Sequence, residues 1–137
     1  MKQHSKNAQY LAGKFKEIGL KVIYPGLPEH PGHDLMKKLM NDEYGFGGMI
    51  AIDLETPEKA AAIMEKMQDN DVGYLAVSLG YFKTLFSNSG KSTSSEVPED
   101  VQKEMGLSPG LIRFSVGLDN YIENTFQRIK KNIEEAV

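Results

Sequence analysis

One arginine stands out by its neighbours. Arg113 sits in the apolar run Leu111-Ile112-Arg113-Phe114-Ser115-Val116, where a permanently charged guanidinium is costly unless partnered. Two readings are open from the pattern alone. One is a strand face open to water, or an ion pair with one of the 19 acidic residues. The other is a bidentate fork for a carboxylate or phosphate. His30 and His33 could share a metal if their segment were helical, but Pro31 and Gly32 lie between them and no carboxylate completes a ligand set. Their expected role is to stabilise a turn or cap a helix. Gly45-Phe46-Gly47-Gly48 has the composition of a phosphate cradle, yet it follows a helix and enters a strand, the reverse of the order such a cradle needs. It reads as a backbone hinge. Lys130-Lys131 complements the last helix's dipole, and the seven methionines are expected to pack the core.

The elements that must position these residues follow from changes of period. Ala8, Leu11, Ala12, Phe15 and Ile18 recur at helical spacing, with Ser5 as the expected N-cap and Gly19 as the stop. Leu20 to Tyr24 reads as a short strand, closed by Pro25-Gly26. A second helix carries Leu35, Met36, Leu39 and Met40 on one side, and Met49 to Leu54 is a strand. Thr56-Pro57-Glu58 combines a capping hydroxyl, a first-turn proline and an acid at the positive helix end. That helix is expected to run to about Asp69 and to bury Ala60, Ile63, Met64 and Met67. Tyr74 to Ser78 reads as a strand, 87–96 as a long Ser/Thr-rich loop, and the segment after Pro98 as a short helix ending at Gly106. Leu111 to Val116 is a strand with Ile112, Phe114 and Val116 on one face and Arg113 and Ser115 on the other. Asp119 or Asn120 caps a last helix with the stripe Ile122, Phe126, Ile129, Ile133. The fold class is therefore α+β: one sheet of about four strands, covered mainly on one face by helices.

Composition narrows the functional classes without choosing one. With 137 residues there is room for one domain and one core. Hydrophobic residues at 40% and charged residues at 26% exclude global disorder. The absence of cysteine excludes a disulfide scaffold, a thiolate nucleophile and a Cys-based zinc site. A net charge of −3 argues against nucleic acid as the partner. No apolar run is long enough to span a bilayer and no leader follows Met1, so the expected compartment is the cytosol.

Several short motifs fall in a familiar order. They are His4-Ser5-Lys6-Asn7-Ala8, Tyr24-Pro25-Gly26-Leu27 with His30-Pro31 and His33, and Gly47-Gly48-Met49-Ile50. Later come Ser78-Leu79-Gly80, a loop holding Thr93, Val97-Pro98, and Gly110 to Asp119. Together they resemble the C-terminal small domain of the Cys/Met-metabolism enzymes that use pyridoxal phosphate, the transsulfuration family of cystathionine γ-synthase, the cystathionine lyases and methionine γ-lyase. The resemblance implies the small domain of a fold-type I enzyme, with a large domain, absent here, that holds the cofactor and its lysine. It further implies homotetramers, β- or γ-elimination or replacement on a sulfur-containing or O-acylated amino acid, and no activity for this chain alone. Carried over by position, Arg113 would clamp the substrate's α-carboxylate, with Ser78 and Thr93 adding hydrogen bonds. No catalytic residue is implied in this chain. Departures from the family pattern are Lys83 in place of a glutamate and Tyr81 in place of a glycine, both expected near the substrate's distal end. Asn88-Ser89-Gly90 replaces His-Pro-Ala, and Ser94 replaces a histidine. A free-standing, non-enzymatic carboxylate-binding or interaction domain is the rival reading.

Overall fold

A computed structural model describes residues 1–92 and 94–136. In chain order the elements are α1 (Lys2–Glu17), β1 (Lys21–Ile23), α2 (His33–Leu39), β2 (Met49–Asp53), α3 (Pro57–Asp69), β3 (Tyr74–Leu75), β4 (Leu85–Asn88), α4 (Glu99–Glu104), β5 (Leu111–Ser115) and α5 (Ile122–Ala136). The strands form one sheet in the order β1-β2-β5-β4-β3. Every neighbouring pair is antiparallel except β3 with β4. The expected α+β class holds, with a fifth strand added.

Helices α1 and α3 lie on one face of the sheet, and α5 packs against both of them. Their apolar stripes meet Ile50, Ile52, Phe86, Ile112 and Phe114, all at most 1% exposed. At the centre Phe114 packs tilted against Phe15 at 5.8 Å and Phe86 at 6.1 Å, a preferred aromatic geometry. Each such side chain contributes roughly 1.5–3 kcal/mol by leaving water. Helix α3 behaves as its sequence dictates: Thr56 Oγ1 accepts from the Lys59 amide at 3.3 Å, and Ala60, Ile63, Met64 and Met67 are buried. Gly19, at φ +84°, follows the end of α1 as expected.

Four local expectations are corrected. Ser5 does not cap α1, which starts at Lys2; its Oγ instead accepts from the Gly47 amide at 3.1 Å. The anchoring of His4 Nδ1 on the Val116 carbonyl, at 2.6 Å, keeps this first turn packed on the sheet. Ser87 and Asn88, expected to open the 87–96 loop, instead end β4, because the slot between β5 and β3 supplies ladder partners that outweigh their turn preferences. Strand β3 stops at Leu75, three residues short, since the Val77 and Ser78 carbonyls turn to Arg113 instead of a neighbouring strand. Of the seven methionines expected to pack the core only Met64 and Met67 are buried, because Met1 and Met105 lie at exposed helix ends and Met36, Met40 and Met49 are only half-buried; Leu35 and Leu39 of α2 are 62% and 74% exposed.

Close approach of the 82–84 segment to the end of β5 depends on Gly117. A Cβ there would lie 2.5 Å from the Phe82 carbonyl oxygen and 2.6 Å from the Thr84 nitrogen, both backbone atoms. Gly117→Ala is expected to destabilise the fold by about 1–3 kcal/mol, read as a lower midpoint at unchanged slope in urea unfolding.

Candidate functional site

Alternation along β2, β5 and β4 sends every second side chain to the face away from the three helices. Register places Ala51, Arg113 and Ser87 in one row across it, and Met49, Ser115 and Leu85 in the next. The small Ala51 side chain leaves the Arg113 row open on one side. Segment 76–82 crosses this face: the Gly80 amide donates to Ser115 Oγ at 3.0 Å, with Gly80 at φ +71°. The segment is then pinned back, as Leu118 N–H donates to the Phe82 carbonyl at 2.7 Å and Gly117 N–H to Thr84 Oγ1 at 3.0 Å. Asn7 holds the same corner from α1, donating to the carbonyls of Gly117 and Asp119, both at 3.0 Å.

Arg113 is half-buried in this setting. Its Nη2 donates to the Val77 carbonyl at 2.7 Å and reaches the Ser78 carbonyl at 3.3 Å. Its Nε is buried with no hydrogen-bond partner among the described residues, as is Ser87 Oγ. Among the described residues no carboxylate pairs with Arg113, so the ion-pair reading of this residue finds no acid. The carbonyls of Val77 and Ser78 thus fix the guanidinium at one nitrogen without neutralising its charge.

The other expected residues lie nearby in different states. Ser78 is beside Arg113 through its backbone carbonyl, its side chain exposed. Thr93 lies outside the described residues. Lys83, on the same face as Ser87 by alternation, donates to Tyr74 Oη at 3.0 Å and stands 4.9 Å over that ring; this hydrogen bond raises the ammonium's pKa. Tyr81 packs tilted on Phe82 at 4.4 Å and remains 44% exposed. Sequence reasoning missed Ser87 and Tyr74 as members of this face. A period-2 reading of Leu85 and Ser87 would have found the first. The histidines hold turns: His30 Nδ1 accepts from the Gly32 amide at 3.0 Å, and His33 meets the Pro25 carbonyl at 2.7 Å while stacking on Phe46. No helix among the described residues is long and apolar enough to cross a membrane.

At the other end of the open face Asp53 fastens β1 to β2. It accepts from Lys21 at 2.9 Å and from the Glu55 amide at 2.9 Å. Burial pushes its carboxyl up, but hydrogen bonds from Ser108, Lys21 and the Glu55 amide outweigh that, and its pKa lies below the ordinary value.

The geometry defines a domain of helices on a sheet whose open face carries Arg113 on its middle strand. The chain belongs to the Cys/Met-metabolism PLP-dependent enzyme family, whose model matches residues 1–136. It is 46% identical over 132 residues to methionine gamma-lyase of Arabidopsis thaliana, covering 96% of this chain and 30% of that protein. It is 38% identical over 138 residues to cystathionine beta-lyase of Lactococcus lactis subsp. cremoris, covering 98% of this chain and 34% of the relative. Among solved structures it superposes at TM-score 0.86 on an O-acetylhomoserine (thiol)-lyase from Campylobacter jejuni that carries a pyridoxyl-lysine phosphate group, at 30% identity over 96% of this chain and 31% of that one. The TM-score is 0.85 for cystathionine gamma synthase of Xanthomonas oryzae pv. oryzae in complex with cystathionine, at 26% identity over 98% of this chain and 34% of that one. The chain thus spans about a third of the length of the relatives it matches.

The Asp53 arrangement makes a signed prediction. A carboxylate with a depressed folded pKa stabilises fully above its unfolded pKa and loses that contribution as pH falls through the folded one. Urea-unfolding free energies taken from about pH 6 down to about pH 3 should fall more steeply for the wild type than for Asp53→Asn. Parallel curves would show that Asp53 carries no such linkage.

Proposed function

We propose that this chain is the substrate-clamping small domain of a longer pyridoxal-phosphate-dependent enzyme of sulfur amino-acid metabolism, with Arg113 as the fork for the α-carboxylate. The observation that carries this reading is the half-buried Arg113 guanidinium on the open face, with Nε unpartnered and no acid beside it among the described residues. Backbone carbonyls of Val77 and Ser78 fix the guanidinium's orientation without neutralising it. A zwitterionic amino acid held there by its carboxylate has one end fixed, so that its reacting bond is presented in one direction. Ser78 and Thr93 are the further carboxylate contacts under this reading. Lys83 and Tyr81 border the substrate's distal end.

The cofactor does not fit a seat made by this chain: every described lysine is exposed or half-exposed, and none is enclosed. The proposal assigns the cofactor to the further chain that the relatives possess, where it supplies the electron sink for breaking bonds at the amino acid. It also includes docking onto that domain, assembly as a homotetramer and a cytosolic home. Substrates would be sulfur-containing or O-acylated amino acids undergoing elimination or replacement.

Two measurements test this. In the full-length, cofactor-loaded protein carrying this segment, Arg113→Leu removes two charge-assisted hydrogen bonds, each worth about 1.5–3 kcal/mol. kcat/KM is expected to fall on the order of 100- to 10,000-fold, and Arg113→Lys to recover only part, because an ammonium cannot reproduce the planar fork. Unchanged activity per folded molecule in Arg113→Leu would overturn the assignment. The 137-residue chain alone, mixed with pyridoxal phosphate and reduced with borohydride, should give scattered surface-lysine labelling; one stoichiometric adduct at a single lysine contradicts the domain reading.

A further inference from the structure

Ser87 and Arg113 are register partners across β4 and β5, on the same open face. Directly opposed residues in an antiparallel pair hold their Cβ atoms about 4.5–5.5 Å apart. Ser87 is 4% exposed, yet its Oγ has no partner among the described residues, and neither has Arg113 Nε. Such vacancies are not general on this face. Ser115 Oγ is taken by the Gly80 amide, and Tyr74 Oη, whose residue pairs with Leu85, by Lys83. Two buried polar atoms left unsatisfied on register-paired residues call for a ligand or a function, since a buried hydroxyl without a partner is costlier than a methyl group in its place.

We propose that Ser87 is a second donor of the carboxylate site. Its hydroxyl and the Arg113 Nε–H converge on one oxygen of the bound carboxylate. This rests on the reading of Arg113 as the carboxylate fork. Arg113 Nη2 already serves the Val77 and Ser78 carbonyls, so Nε is the donor with free capacity on the side of the sheet. A carboxylate oxygen accepts more than one hydrogen bond. The opposed serine supplies the second from a rigid strand rather than from a loop. The chemistry selects a carboxylate over a neutral group at this end of the substrate, and it leaves the amino and distal groups untouched.

The test pairs binding with stability, because the two readouts move in opposite directions only if the hydroxyl is kept for a ligand. In the full-length, cofactor-loaded protein, with L-methionine and L-cystathionine as probes, Ser87→Ala should raise KM about tenfold with kcat within about twofold, the loss of one hydrogen bond to a charged group. Inhibition by 3-(methylthio)propylamine, which has no carboxylate, should be unchanged. In the ligand-free 137-residue chain the same substitution removes an unsatisfied buried hydroxyl, so Tm should stay equal or rise by about 3–5 °C. An unchanged KM overturns the role of Ser87 while leaving the fork standing, provided Arg113→Leu still abolishes turnover. A lower Tm with unchanged KM makes Ser87 a structural residue, bonded through ordered water. If Arg113→Leu leaves turnover intact, the underlying carboxylate reading falls and this inference with it.

Discussion

A guanidinium on the middle strand of a sheet has to be satisfied, and how Arg113 is satisfied organises the open face. Water is partly excluded, and the chain offers it no acid among the described residues. What it offers instead are two carbonyls of segment 76–82, which orient the group without cancelling its charge. The strand β3 is cut short so that those carbonyls can turn inward. Gly80 and Ser115 then hold the crossing segment above β5. Pairing the arginine to an internal carboxylate would stabilise it locally but would cancel the charge that the proposed carboxylate contact needs.

The opposite face supplies the rigidity that such a site needs. Phe15, Phe86 and Phe114 lock α1, β4 and β5 together beneath Arg113, and α1 reaches further with His4 and Asn7 to hold the backbone from Val116 to Asp119. A donor set carried on strands, with a packed core directly below, is held more precisely than one carried on loops. The site therefore depends on a core that never touches it. The apolar side of α2 and the aromatic segment around Tyr81 and Phe82 lie outside that core.

Family membership and geometry speak to different levels. The match over residues 1–136 and the superposition on PLP enzymes establish the family and the fold. The proposed residue roles rest on the chain's own chemistry: among the described residues, a charge with no acid beside it, an unpartnered Nε and an unpartnered Oγ on the opposed strand. Lys83 illustrates the difference. By family pattern it reverses a charge, and in this structure its ammonium is engaged by the Tyr74 hydroxyl and ring. Its consequence for a substrate depends on that local pairing as much as on its sign.

Helix α3 and strand β5 were legible from sequence because their signals are local: a cap and proline at fixed offsets for one, a period of two for the other. The oddity of Arg113 was legible for the same reason, since its flanking residues alone mark it as a charge in an apolar strand. Tertiary structure decided what local signals leave undetermined. Ser87 and Asn88 carry turn preferences, and only the empty ladder positions beside β5 make them a strand. Ser5 is a good cap by type, but the helix begins where His4 finds the Val116 carbonyl, 112 residues away. The absence of an acid beside Arg113, and the pairing that sets Ser87 opposite it, depend on which distant segments meet across the sheet. Sequence determined which side chains could do chemistry; long-range pairing decided which of them stand together, because register is a property of two strands and is written in neither one alone.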